Sequence, residues 1–216
     1  MCGKFTQMMG WGELVALADL IGTQGGPSET VTPMRFANII HLDDDGKRRT
    51  SRMRWGLVPP WEKDPTHGSK FIHARAETLD EKRTFRDAFA KRRGILVVST
   101  FNEGKEITPK KTEQYTIVPR GGEPLSIAVI WEQWTERAAG RLLTFAMVTV
   151  PANKLISSIT DRMPAVVQPE DWPKWLGEEP AHAEELKAML VPFDGEWDMA
   201  PEKPKTKKDA SQPGLF

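Results

Sequence analysis

Residues 37–57 read ANIIHLDDDGKRRTSRMRWGL. Two runs suited to extended backbone flank Asp43-Asp44-Asp45-Gly46. An Asp-Gly step between such runs is a strong hairpin signal, because glycine accepts the left-handed backbone that a tight reversal needs. The stretch is therefore expected to form two antiparallel strands. Further along the chain, residues 95–99, 114–118, 125–131 and 142–150 are apolar or β-rich runs of strand length, separated by Gly, Pro and charged turns. Helical patterns lie at the flanks. Residues 11–21, WGELVALADLI, carry apolar side chains at helical spacing and stop at Gly22. Thr78-Leu79-Asp80-Glu81 has capping-box spacing and precedes a helical run through Phe85 and Phe89 to Arg93, after which Gly94 would release the chain into a strand. Short helices are expected at 153–159, 170–176 and 181–190. Strands dominate the middle without βαβ alternation, which predicts an α+β fold with a mainly antiparallel β core and flanking helices.

The 216 residues suffice for one domain with a sizeable core and would be cramped as two. Residues 200–216, APEKPKTKKDASQPGLF, are rich in Pro and Lys and nearly empty of apolar side chains, so the domain is expected to span 1–199 and to end in a flexible tail. No apolar run approaches the ~20 residues of a membrane span, and no basic segment followed by an apolar stretch opens the chain. A soluble, cytoplasmic protein is expected. One cysteine in the chain excludes an internal disulfide and a Cys-rich zinc site, and the four histidines show no ligand spacing, so no metal or other cofactor is expected. The formal net charge is zero, so nucleic acid could be held only by a local basic patch. Candidates are Lys47, Arg48, Arg49, Arg52 and Arg54, and again Arg86, Lys91, Arg92 and Arg93. Each run taken alone reads equally as a solvated face.

Cysteine at position 2 has a specific chemistry. Its small side chain should allow aminopeptidase removal of Met1, leaving an amine and a thiol on adjacent carbons. Such a 1,2-aminothiol condenses with an aldehyde to an imine and then a thiazolidine ring, and reference values of ~7.7–8.0 for the amine and ~8.5 for the thiol leave usable reactive forms near neutral pH. A lone cysteine is also a small hydrophobe, and position 2 by itself does not decide.

Further segments do. Met1-Cys2-Gly3-Lys4-Phe5 resembles the MCGRF start of the SOS-response-associated peptidase (SRAP) family. Trp55-Gly-Leu-Val-Pro-Pro-Trp61 is similar to its WGL-P-W segment, Ala74-Arg75-Ala76-Glu77-Thr78 to its ARAET run, and Asp161-Arg162-Met163-Pro164 to its DRMP. Glu103, in Thr100-Phe-Asn-Glu103, falls where the family has a catalytic glutamate. The blocks occur in family order over residues 1 to about 165.

The resemblance implies a SRAP-like fold that binds single-stranded DNA and traps abasic sites covalently through Cys2. It implies Glu103 as a general acid/base, which requires a pKa raised by partial burial; by itself Glu103 reads as a surface carboxylate beside Lys105. Arg75 and Arg162 would clamp phosphates, or else pair with Glu77 or Asp161. Lys4, Pro33, Trp55 and Trp61 complete the expected DNA-binding set, the aromatic rings as stacking surfaces, although eight tryptophans in one domain are equally core. Three positions depart from the family pattern: His73 stands where it has Asn, Thr160 where it has His, and Thr30 where an Asn precedes Pro33. A threonine hydroxyl cannot titrate near pH 7, so three readings stand: His73 supplies the imidazole, crosslink formation or reversal is slower, or the chain binds DNA without crosslinking. An amino-terminal-nucleophile peptidase is a further reading; it fits least, since only Met1 precedes Cys2. Lastly, Gln212-Pro213-Gly214-Leu215-Phe216 resembles the Q-x-x-L-F peptide that docks on bacterial sliding clamps, which implies the clamp as a partner.

Overall fold

The opening hairpin forms as its sequence requires. Strand β3 (Phe36–Leu42) runs antiparallel to β4 (Arg48–Trp55), from Phe36 opposite Arg54 to Leu42 opposite Arg48. Gly46 in the connecting loop has φ +73°, and the Asp43 carboxylate accepts from the amides of Asp45 and Lys47. The computed structural model describes residues 2–7, 29–136 and 140–202. The helix expected at 11–21 lies outside the described residues, as do Met1 and the whole of 203–216.

The remaining strands are β1 (Lys4–Gln7), β2 (Glu29–Val31), β5 (His73–Arg75), β6 (Arg93–Val98), β7 (Thr100–Thr108), β8 (Lys111–Pro119), β9 (Leu125–Glu136), β10 (Gly140–Pro151), β11 (Arg162–Pro164) and β12 (Trp197–Pro201). One sheet has the order β12-β8-β7-β1-β2. The other has β11-β10-β4-β3-β6-β9, and β9 also pairs with β10, so five strands close on themselves as a small barrel. Closure leaves no free edge within that ring. Pairing is antiparallel except where β10 meets β4 and β5, so the α+β fold with a mainly antiparallel core holds.

The two sheets share one core. Phe5 of β1 packs against Trp55 of β4 with ring centroids 5.1 Å apart, and Trp55 stacks on Phe145 of β10 at 6.3 Å. Burying aromatic rings of this size stabilises by several kcal/mol each.

Two local expectations are corrected. The box Thr78 to Glu81 does not open a helix; Thr78 ends a short 3-10 turn, and α1 begins only at Arg86 (Arg86–Lys91). Gly94 does not release the chain but lies inside β6, where a Cβ would sit 2.8 Å from Ile39 Cγ2 and 2.9 Å from the Ile40 carbonyl oxygen. The glycine permits the close approach of β6 to β3. Of the carboxyl-terminal helices, 153–159 shortens to a 3-10 turn (Ile156–Ser158), while α2 (Trp172–Leu176) and α3 (Ala183–Ala188) form within the expected 170–176 and 181–190 but shorter than them. The regular structure also runs past 199: Ala200 and Pro201 pair with Thr116 and Tyr115 of β8. Among the described residues, no helix is long and apolar enough to cross a membrane.

Candidate active site

Strand β1 is short, and Phe5 anchors it. Phe5 is fully buried opposite Phe101 of β7, with Lys4 opposite Asn102. Carried on, this register brings the residues before Lys4 alongside Glu103, the next residue of β7. Cys2 is 1% exposed and its thiol donates to the Lys4 carbonyl at 3.3 Å. Burial pushes that thiol up to about 12, and the nearby Glu103 charge adds to the rise.

Glu103 is itself 1% exposed, so it is no surface carboxylate. Burial raises it to about 7; the amino-terminal charge offsets part of this, and Asp161 pushes further upward. A carboxyl group that exchanges its proton near neutrality is what the resemblance required of this position. Asp161 is the member of this group that the sequence did not single out, having been considered only as a partner for Arg162.

His73 reaches the same place from β5, where it lies opposite Met147 of β10. Its ring meets Trp55 edge-on at 5.9 Å. Burial lowers its pKa to about 4; the Cys2 backbone pulls the other way, but neither ring nitrogen has a well-formed hydrogen bond among the described residues. Burial thus leaves His73 beside the start of the chain as a neutral, weakly basic imidazole at pH 7. Thr160, half-buried, donates its amide to the Ile156 carbonyl at 3.0 Å and immediately precedes Asp161.

The two arginines part company. Arg162 is 7% exposed and forks onto Glu77 (Nη1 to Oε1 2.5 Å, Nη2 to Oε2 2.9 Å), with a further bond to the Thr149 carbonyl at 2.6 Å. In this DNA-free structure Arg162 is the ion-pair arginine of the two readings. Arg75 is exposed and makes no ion pair of its own among the described residues, although its charge helps the Arg162 bond hold Glu77 below the usual carboxylate range.

Trp55 is wholly buried, its indole N–H donating to the Ile72 carbonyl at 2.8 Å, so it cannot stack on a base; it forms the floor under His73. Trp61 is 44% exposed and carries the Arg83 guanidinium over its ring at 4.7 Å. Pro33 is half-exposed on a tight turn whose next residue, Met34, has φ +68° and donates its amide to the Trp55 carbonyl. A non-glycine residue held in that region marks a surface whose shape is fixed from below. Lys4 is not a free cation: its ammonium sits 2.5 Å from Glu202.

Most of the basic runs are already engaged. Arg48 pairs with Glu178, Arg49 with Asp43 and Arg92 with Glu132, while Arg54 and Arg93 donate to backbone carbonyls. Among the described residues, no group of three His, Cys, Asp or Glu side chains could hold a metal ion. Gln212, Leu215 and Phe216 lie outside the described residues.

The arrangement is one thiol, a carboxyl group poised near neutrality and a dry imidazole around the start of the chain. The family described as SOS response associated peptidase (SRAP) matches residues 1–206. The chain is 33% identical over 201 residues to the abasic site processing protein YoqW of Bacillus subtilis (strain 168), covering 91% of this chain and 89% of that protein. It is 28% identical over 155 residues to the abasic site processing protein HMCES of Xenopus tropicalis, covering 62% of this chain and 46% of that protein. Among solved structures, a Bacteroides thetaiotaomicron protein is similar at 26% identity with a TM-score of 0.70, covering 81% of this chain and 77% of that one. A Bordetella bronchiseptica protein shares the fold at 21% identity with a TM-score of 0.80, covering 94% of this chain and 100% of that one. Sequence blocks, fold and site agree, and the chain belongs to the SRAP family.

Proposed function

We propose that this protein acts on abasic sites in DNA, binding the single strand and trapping the open sugar aldehyde on Cys2. The observation that carries the reading is the burial of the chain's one thiol beside Glu103 at the mouth of β1. Once Met1 is removed, the Cys2 amine attacks the aldehyde carbon and one water leaves, giving an imine. The sulfur then adds to the imine carbon and the nitrogen keeps a proton, closing a thiazolidine. With its pKa near 7, Glu103 can serve both halves: the acid protonates the departing hydroxyl, and the carboxylate takes the thiol proton that burial would otherwise retain.

The test is incubation with an abasic single-stranded oligonucleotide followed by denaturing electrophoresis. A shifted band that Cys2→Ala removes supports the trap. No shifted band from Met1-processed protein, beside a working control, sinks it.

A specific observation favours a second reading, a binding module that does not crosslink. Thr160 cannot titrate, and burial lowers His73 below the usual imidazole range, which makes its ring a weak base at pH 7. Gel retardation by abasic DNA that denaturant abolishes would select it.

The clamp partner is part of the proposal, since Leu215 and Phe216 could fill an apolar pocket while Gln212 hydrogen-bonds at its rim and a Pro- and Lys-rich tether spans the distance. Micromolar binding to the host clamp, lost on deleting Leu215 and Phe216, supports it; equal signals from both proteins remove it.

A further inference from the structure

Three donors from three neighbouring strands converge on one oxygen of Glu202. Lys4 Nζ and Asn102 Nδ2 each lie 2.5 Å from Oε1, and Thr116 Oγ1 lies 3.4 Å from it. The strands supply them in register: Lys4 is opposite Asn102, Asn102 opposite Thr116, and Thr116 opposite Ala200 of β12, two residues before Glu202. The adjacent row, Phe5, Phe101 and Ile117, is fully buried in the core, so the donor row lies on the outer face of the same strands. Asn102 is nevertheless only 3% exposed, because Glu202 lies over it.

We propose that Lys4, Asn102 and Thr116 form an anion subsite for a DNA backbone phosphate, and that Glu202 occupies it as an internal substitute that DNA must displace. The inference rests on the DNA-binding reading above. An ammonium, a side-chain amide and a hydroxyl form a donor set suited to a phosphate oxygen; Lys4 follows Cys2 by two residues, and Asn102 precedes Glu103 on β7, the Glu103 side chain lying on the opposite, core-facing side of the strand. The subsite therefore sits at the end of the strands that carry the reactive groups.

Glu202 is built as an exchangeable occupant. Its backbone is held independently, the amide donating to the Gln114 carbonyl at 2.7 Å, so the side chain can swing away without unpairing β12. Asn102 Oδ1 is buried with no hydrogen bond, a cost that offsets part of what the ion pair contributes. The sequence after Glu202, KPKTKK, brings four lysines. An approaching strand attracts those lysines and repels the Glu202 carboxylate, so the two effects pull the same way.

The experiment is fluorescence anisotropy with an intact single-stranded oligonucleotide across a salt series, comparing the full chain with Glu202→Gln, Glu202→Ala, Lys4→Ala and Lys4→Ala/Glu202→Ala. Thermal melting confirms that each variant is folded. Both Glu202 variants are expected to bind about 3–10-fold tighter at low salt, with the salt slope steeper by about 1, one more phosphate being neutralised. Lys4→Ala in the Glu202→Ala background is expected to cancel the gain. If the parent binds DNA and the Glu202 variants bind identically, or if their gain survives loss of Lys4, Glu202 is a structural staple and the inference fails alone. If neither parent nor variants bind the strand, the DNA-binding reading fails with it.

Discussion

Arg162 and Glu77 join the two motifs that flank the site. The guanidinium of the Asp161–Pro164 segment grips the carboxylate of the Ala74–Thr78 segment through two bonds, 2.5 and 2.9 Å long, while also donating to the Thr149 carbonyl of β10. The pair thereby fixes β11 and β5, which lie on either side of β10, relative to each other.

Arg162→Ala should for this reason act on stability, lowering it by about 2 kcal/mol, since bonds to charged groups contribute roughly 1.5–3 kcal/mol. Glu77 is held below its ordinary value by the Arg162 bond. Its contribution is present above the usual carboxylate range and is lost as pH falls through the lowered folded value. Denaturation curves of parent and variant should therefore converge in acid. Arg75→Ala should leave stability nearly unchanged and reduce the salt slope of single-strand binding by roughly 0.7–0.9. An unchanged slope would remove Arg75 from the DNA contacts.

Glu103 carries the strongest pH signature. Its folded value of about 7 lies above the ordinary 4.5, so burial favours the protonated form; stability is full below pH 4.5 and declines as pH rises through 7. Glu103→Gln should be more stable than the parent at pH 8 by roughly 2–3 kcal/mol and equal to it near pH 4. The same variant should slow adduct formation by ~10²-fold or more and lose the inflection near pH 7. Wild-type kinetics from Glu103→Gln would exclude it as the acid/base.

His73 has the opposite sign. Its folded value of about 4 lies below the ordinary 6.5, so its contribution is present above pH 6.5 and is lost as pH falls towards 4. His73→Gln should blunt the acid loss of stability between those values and alter the adduct rate less than ~10-fold at pH 7, because a neutral imidazole of such low basicity is a poor proton carrier there. A loss of ~10²-fold, measured by single-turnover crosslinking, would return it to the proton-transfer role.

The two tryptophans of the Trp55–Trp61 segment should separate by assay. Trp55 is fully buried between Phe5 and Phe145, and Trp55→Ala should cost about 3–5 kcal/mol of stability. Trp61 is exposed beneath Arg83, and Trp61→Ala should leave the melting transition in place while weakening single-strand binding by about 1–3 kcal/mol. Equal affinity in parent and Trp61→Ala would make that ring a surface ornament of the loop.

The sequence by itself determined the hairpin, the strand-rich middle and the family, because alternation, an Asp-Gly turn and ordered motif blocks are local or linear signals. It also named Cys2 and Glu103 as a pair. It could not read β7 as a strand, the residence of Gly94 inside β6 or the extension of order to Glu202, since each depends on which strand lies alongside. Solvent access decided the rest. Two tryptophans six residues apart, and two arginines in equally polar motifs, are indistinguishable until packing buries Trp55 and Arg162 and leaves Trp61 and Arg75 in water. The same burial raises Glu103, lowers His73 and seats Glu202 on Lys4, because removing water changes the cost of charge by amounts that no residue carries in its own identity.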